Sequence, residues 1–373
     1  MIKYTKLSKS LSFHELVIAF KSLFVSYQNI EKKIISGLKS YFDFRDVLLF
    51  GSGREALYYL LNEQCQHGYE VIIPAYGCPI LKETILKAGM TPILVDLDKD
   101  SLTPGYSQIM EKTSPDTAAI IIVHEFGKAF SPHSIEKIRH SFSGIIIEDA
   151  AIAMSTCYDD VKKIGYYGDF TIFSGSIGKP HSCYAWGAAT SKSTVFKRPI
   201  YEKTKHSLPS IIFSCMYLLI CIPIIYNIIK NILNTMVKTD ASAPPQNYHR
   251  PSHFDNTIMA NKLMILAHYR NNLLQTGNQI IQLFESRGIK LFHSSSPYHT
   301  ISRLPILLEL SRASEFQEAC KKVGIEVTKP YQYPFSTKCS NSDYLRENLY
   351  VITIQDDNEF VSTLESALKL YFD

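Results

Sequence analysis

The reading of this chain turns on residues 144–187, GIIIEDAAIAMSTCYDDVKKIGYYGDFTIFSGSIGKPHSCYAWG. Two apolar runs within it, Ile145 to Ile147 and Phe170 to Phe173, have the length and polar flanks of strands buried on both faces of a parallel sheet. Each run ends in chemistry. The first delivers Glu148 and Asp149 at its carboxyl end. The second delivers Ser174 and, five residues on, Lys179 inside the glycine- and serine-rich SGSIGKP. Ligands of open α/β sheets sit outside the carboxyl ends of the strands, so an acid and an amine can converge there.

The same pattern extends outward. Val47 to Phe50 reads as a short strand, followed by the turn Gly51-Ser52-Gly53 and a helix from about Arg54. A glycine turn feeding a helix N-terminus presents backbone N–H groups and the positive end of the helix dipole, which suits a phosphate. By itself such a turn is also ordinary glycine chemistry. Ala118 to Gly127, AAIIIVHEFG, is another buried strand, and helical segments such as Pro79 to Ala88 and Ser134 to Phe142 alternate with these runs. The alternation predicts an α/β fold with a mainly parallel sheet covered on both faces.

Taken together, these residues resemble the pyridoxal-phosphate (PLP) core of the DegT/StrS-type sugar aminotransferases, a branch of the aspartate-aminotransferase fold, PLP-transferase fold type I. The family shows an EDAA box, then Y-x-G-x-x-x-G-x-x-G-D, then F-S-x-x-x-x-K. Here stand Glu148 to Ala151, then Tyr158, Gly165, Gly168 and Asp169, then Phe173, Ser174 and Lys179. The resemblance implies that Lys179 holds the cofactor aldehyde and that Asp149 keeps its pyridine nitrogen protonated. It implies that Ser52, Gly53 and Ser174 bind its phosphate, with Arg54 where the family has Thr. In the turn PAYGC the ring-stacking place falls on Cys78, and Tyr76, two residues earlier, is the favoured stacking residue. Ile152 stands where the family has Gln or His, and an Ile donates no hydrogen bond, so His124 or His181 would have to compensate. His124 reads equally well as a histidine satisfied by a backbone partner. Asn256 falls where a family Asn reaches the cofactor of the partner subunit, which implies a homodimer, and Ile258 replaces the family's Arg.

Composition narrows the remaining classes. A net charge of +4 over 373 residues, with no Lys/Arg block, argues against a nucleic-acid partner. The eight cysteines show no C-x-x-C pairs and no His at zinc spacing, so neither a metal site nor a disulfide framework is indicated. A reducing cytoplasm is the simplest compartment, and the start MIKYTKLSKSLSFHEL lacks the apolar core of a secretory leader.

One segment departs from an ordinary soluble enzyme. Ser207 to Ile229 holds no charged residue, with Lys197, Arg198, Lys203 and Lys205 before it and Lys230 and Lys238 after it. Its length approaches the ~20 apolar residues of a bilayer crossing. A crossing would separate the catalytic core from the C-terminal part, and Pro223 interrupts the run. The segment at about 207–234 is therefore expected to dip into the inner face of the membrane as a Pro-broken helical insertion. The competing reading is a buried dimer or lid helix.

The chain divides, on this reading, into a large PLP-binding domain at 1–240 with an N-terminal helical arm over residues 1 to about 44, and a small α+β domain at 241–373. The second opens with a long helix from Asp255. The function implied is a PLP-dependent aminotransferase that moves an amino group, usually from glutamate, to a keto sugar, nucleotide-linked or a related glycan or lipid precursor. Retention of Lys179 argues against the dehydratase branch, where the lysine is replaced by His. Two other readings stay open: another PLP-dependent reaction, and a membrane-associated scaffold that has kept only the fold.

Overall fold

The computed structural model describes residues 1–5, 11–22, 24–66, 68–98, 101–230, 247–289, 291, 298–332, 339–355 and 357–372. Its centre is a seven-stranded sheet in the order β1-β7-β6-β5-β4-β2-β3. The strands are β1 (Asp46–Phe50), β2 (Glu70–Pro74), β3 (Thr91–Val95), β4 (Thr117–Val123), β5 (Ile145–Asp149), β6 (Phe170–Ser174) and β7 (Gly187–Ser191). β7 is antiparallel to both its neighbours, and the other pairs are parallel. Alternation along the strands builds two cores. Ile120, Ile122 and Ile146 join one hydrophobic cluster, while Ala119, Ile121 and Ile147 join the cluster on the opposite face.

Helices cover both faces. On one lie α1 (Phe13–Ser22) and α2 (Tyr27–Phe42), which pack on α9 (His253–Met264). On the other lie α3 (Gly53–Gln64) and α4 (Pro79–Lys87). Their starts follow local chemistry: Ser52 caps α3 by accepting from the Glu55 N–H, and Pro79 opens α4 where no intrahelical acceptor is needed. The parallel strands β1, β2, β4, β5 and β6 all point the same way, so their carboxyl ends form one ledge. Register keeps it level, for Val123 pairs with Asp149, Asp149 with Ile172 and Ser174 with Gly187.

Past the sheet, β8 (Tyr201–Thr204) pairs with β9 (Tyr248–Arg250), and between them stand α7 (Ser207–Ile220) and α8 (Pro223–Lys230), bent by 101°. Among the described residues no single helix is long and apolar enough to cross a membrane. Residues 231–234 of the expected insertion, and the domain boundary expected at 240, lie outside the described residues. The smaller sheet, β10-β12-β11, comprises β10 (Arg303–Leu307), β11 (Val327–Thr328) and β12 (Leu349–Thr353), all antiparallel, and packs with α10 (Leu266–Glu285), α11 (Leu310–Val323) and α13 (Asn358–Phe372).

Two expectations need correction. The long helix read from Asp255 is two helices broken at Ile265, and α9 buries Phe254, Ile258 and Met259 in the core of the large sheet. The N-terminal arm is not helical throughout: Tyr4 makes a parallel bridge with Ile325 and sits in the hydrophobic core beside the smaller sheet. Apolar spacing marks a helical face without revealing which neighbour covers it.

Candidate active site

The carboxyl end of β5 sends two adjacent acids in opposite directions, because successive strand residues face opposite sides. Glu148 is fully buried. It accepts from the backbone N–H of Gly165 at 2.7 Å and of Tyr167 at 2.9 Å, from the Gly168 N–H, from the Tyr158 hydroxyl at 2.9 Å and from His124 Nε2 at 3.0 Å. Gly165 adopts φ +88°, which a side chain would resist. Asp169 closes the same loop, accepting from Arg139 and from the Ile146 N–H, each at 2.8 Å. The spaced Tyr, Gly and Asp residues of the sequence motif are thus a plug around Glu148 that fixes the strand end. Burial raises the Glu148 pKa, but the hydrogen bond from His124 and those from the N–H groups of Gly168 and Gly165 outweigh it, so its net pKa is depressed.

Asp149 has the contrary environment. It is buried and accepts one N–H, from Ala151 at 2.9 Å. Burial raises its pKa, and the positive charge of Lys179 is the largest influence that opposes the rise, without cancelling it. Lys179 lies half-buried in the β6–β7 loop. Its charge acts also on Cys78 and on Glu125. Residues from the ends of β2, β4 and β5 and from the β6–β7 loop therefore share one electrostatic site.

At its other side the start of α3 meets the end of β6. A Cβ added to Gly53 would come within 2.8 Å of Ser174 Cβ, and one added to Gly187 would collide with the Ser52 backbone. The missing side chains let Ser52, Gly53 and Ser174 close into a cradle at a helix N-terminus, whose first N–H groups have no intrahelical acceptors. Arg54 stands half-exposed beside it. Cradle, amine and under-satisfied acid make up the donor set that a phosphorylated pyridine aldehyde requires, and the residues fit that group.

The other expected site residues are placed differently. Tyr76 is buried, its hydroxyl directed to the Pro330 carbonyl and its ring against Tyr331 at 5.4 Å, so it packs toward the smaller unit; Cys78 is the turn residue within electrostatic reach of Lys179 and Asp149. His124 is a satisfied core histidine, its Nδ1 accepting from the Phe130 N–H at 3.1 Å and its Nε2 donating to Glu148. Ile152 is buried. His181 is buried with Nε2 unpartnered among the described residues, and burial pushes its pKa down to about 3, so it is neutral. Asn256 is fully buried, its Oδ1 accepting from Trp186 Nε1 at 3.2 Å and its Nδ2 without a partner among the described residues.

Sequence reasoning passed over two neighbours of the site. Glu125, in the turn after β4, accepts from the Tyr331 hydroxyl at 2.9 Å. Arg303, at the start of β10, donates to the Gly178 carbonyl at 2.9 Å, beside Lys179. Glu125 carried a signal, since it is an acid directly following a buried strand. Arg303 carried none, because only the fold brings it to the loop.

A model of the DegT/DnrJ/EryC1/StrS aminotransferase family matches residues 19–208, just over half of the 373. The chain belongs to this family. Curated members similar to it include the GDP-perosamine synthase of Vibrio cholerae, 28% identical over 128 residues, which are 34% of this chain and 35% of that protein. Another is the dTDP-4-amino-4,6-dideoxy-D-glucose transaminase of Shigella dysenteriae, 28% identical over 174 residues, 47% of this chain and 46% of that one. The match thus spans less than half the length of either relative. Solved structures match along nearly the whole chain. The GDP-4-keto-6-deoxy-D-mannose-3-dehydratase of E. coli, solved with bound hydrated PLP, superposes at a TM-score of 0.76 with 14% identity, covering 99% of this chain and 100% of its own. Helicobacter pylori PseC, an aminotransferase of pseudoaminic acid biosynthesis, does so at 0.75 with 14% identity, covering 99% of each chain. The fold of the chain is theirs.

Proposed function

We propose that this protein is a PLP-dependent aminotransferase that transfers an amino group, from glutamate, to a keto sugar carried on a nucleotide. The observation that carries the reading is that the charge of Lys179, in the loop after β6, acts on Asp149 at the end of neighbouring β5, a buried acid with one backbone donor. Family membership and the sugar-nucleotide names of the relatives support the substrate class.

When bound, PLP would supply the electron sink that makes the amine-bearing carbon acidic. The chain's own residues do the rest. Asp149 would hold a proton at the pyridine nitrogen, where its buried carboxylate would meet a second cation besides Lys179. Ser52, Gly53 and Ser174 hold the phosphate, with Arg54 able to pair with it. Lys179 Nζ, once free, moves a proton between the substrate carbon and its own nitrogen, as base and then acid. Cys78, within electrostatic reach of Lys179 and Asp149, would line the ring's place. Arg303 is in place to take the carboxylate of an amino-acid donor, since a guanidinium has five donors and the Gly178 carbonyl uses one. Asp149 is itself buried, which keeps its carboxylate in a low-dielectric setting.

The test is the absorbance of the native protein, alone and after glutamate. We expect a yellow protein whose visible band is lost as glutamate delivers its amine, and borohydride should fix the cofactor at Lys179. A colourless protein that ignores added PLP would overturn the reading.

Two further proposals concern partners. α7 and α8 present an apolar face that fits the headgroup region of an anionic bilayer, with Lys203 and Lys230 at its flanks. A homodimer is supported by the family fold and by exposed Ile177, on the loop of Lys179, and Ile200. Sedimentation equilibrium checks the second. We also propose that the chain forms two units, with the change of partner lying between Leu266, in the core of the large sheet, and Leu273, in the core of the small one.

A further inference from the structure

We infer that Glu125 reads the acceptor substrate: its carboxylate, fixed by the Tyr331 hydroxyl, takes a hydrogen bond from a hydroxyl of the sugar seated beside Lys179. This rests on the aminotransferase reading of the site. Glu125 stands at the carboxyl end of β4, on the ledge that also carries Asp149, and it is 7% exposed. Its Oε2 accepts from Tyr331 at 2.9 Å. Its Oε1 lies on the side of Gly77, where an added Cβ would approach it to 3.4 Å, and it has no protein donor among the described residues. The side chain is nearly buried, yet Oε1 is not among the buried polar atoms left without a partner, so it keeps an opening through which a further donor can reach it. The groups that face it are Tyr76, Cys78, Asp149, Lys179, Arg303 and Tyr331. Of these, the two cations belong to the site itself.

The backbone on both sides of the contact is forced. Phe126, the next residue, has φ +57°, and Tyr331 has φ +45°, both in the left-handed region that non-glycine residues avoid. Their rings stack at 6.1 Å and 27°. Strain of this kind persists where surrounding structure imposes it, and it gathers at functional sites. Here its effect is to hold a hydroxyl from the smaller unit against an acid from the large one. Burial lifts the Glu125 pKa to about 7; Asp149 adds to the rise, while the Tyr331 hydrogen bond, Lys179 and Arg303 oppose it. The group changes charge near neutrality, so recognition of a hydroxyl should strengthen as pH rises through 7. A ligand lacking the hydroxyl would leave the acid unpaired, which is how a polar site rejects a deoxy analogue.

The experiment compares wild type with E125Q and Y331F, all checked for fold by circular dichroism and for PLP uptake by absorbance. GDP-4-keto-6-deoxymannose and dTDP-4-keto-6-deoxyglucose are the probes, titrated calorimetrically and by the fluorescence of Trp186. We expect E125Q to keep the cofactor spectrum and the glutamate half-reaction within about twofold, and to bind the preferred probe about tenfold more weakly. Y331F should weaken it several-fold, and the rise in affinity with pH should vanish in E125Q. Unchanged affinity and an unchanged pH profile in E125Q would overturn the inference. If E125Q does not fold, Y331F and E125D carry the same comparison. A wild type without PLP would refute the aminotransferase reading instead; equal probe affinity in wild type and E125Q would then still refute the role of Glu125.

Discussion

Glu148 and Asp149 share a backbone and have opposite tasks. Glu148 collects donors and stays charged, while Asp149 is starved of them. Changing Glu148→Gln places an amide among N–H groups and should cost about 3 kcal/mol, the scale of a buried charge-assisted network, read as a lowered melting temperature. The pH dependence has a definite sign. The folded pKa of Glu148 is depressed, so its stabilisation is complete above the ordinary carboxylate value and is lost as pH falls below it; Asp149, shifted upward, acts in the opposite sense. Acid titration of thermal stability should therefore be flatter at low pH in Glu148→Gln than in wild type. Arg303→Lys keeps charge but loses the fork, and should raise the KM for glutamate about tenfold with little change in kcat. Much of this was legible in the EDAA box and its spacing, because strand alternation alone sends neighbouring acids apart. The fates of His124 and Tyr76 were not, since an accepting carboxylate 24 residues along the chain for one and a proline carbonyl 254 residues away for the other are tertiary facts.

At the level of elements, α7 is inverted. Its buried face holds Ser210 and Ser214 beside Tyr217 and Ile220, with Ser210 bonded to Asp255 Oδ2 at 2.6 Å, while Leu208, Ile212, Met216 and Leu219 are each more than half exposed. The continuous apolar run was readable, but a helix without a polar stripe gives no periodic contrast, so the sequence could not say which side faces in. Ile212→Glu with Met216→Glu should abolish co-sedimentation with phosphatidylserine vesicles and leave the melting temperature unchanged. A wild type that ignores vesicles but whose dimer the double variant dissolves would assign the face to a second copy. α1 makes the complementary case. Ser12 and Glu15 form a reciprocal cap, and Glu15 also reaches buried Lys262 on α9 at 2.9 Å. Glu15→Ala removes both and should cost about 3 kcal/mol, measurable by urea unfolding.

For the whole molecule, the parallel order of the strands and the position of the ledge followed from the alternation of apolar runs and helices, which is why the site could be located before its residues could be fully assigned. What the pattern could not express is how the first residues of the chain join the strands and helices near its end. Lys3 and Tyr4 donate their N–H groups to the Gly324 carbonyl, Ile2 and Asn227 exchange hydrogen bonds, and Tyr226 donates to Glu326 at 2.6 Å. Tyr4→Ala empties a site edge-on to Phe360 and should cost about 3 kcal/mol, lowering the thermal transition by several degrees. That join also has a temporal side. On the ribosome Tyr4 emerges long before Ile325 exists, and α1 must wait for α9. A nascent chain holding those greasy segments unmatched through nearly all of its translation needs either chaperone cover or a nearby lipid surface, so synthesis in a crowded heterologous host should yield insoluble material unless one of the two is supplied.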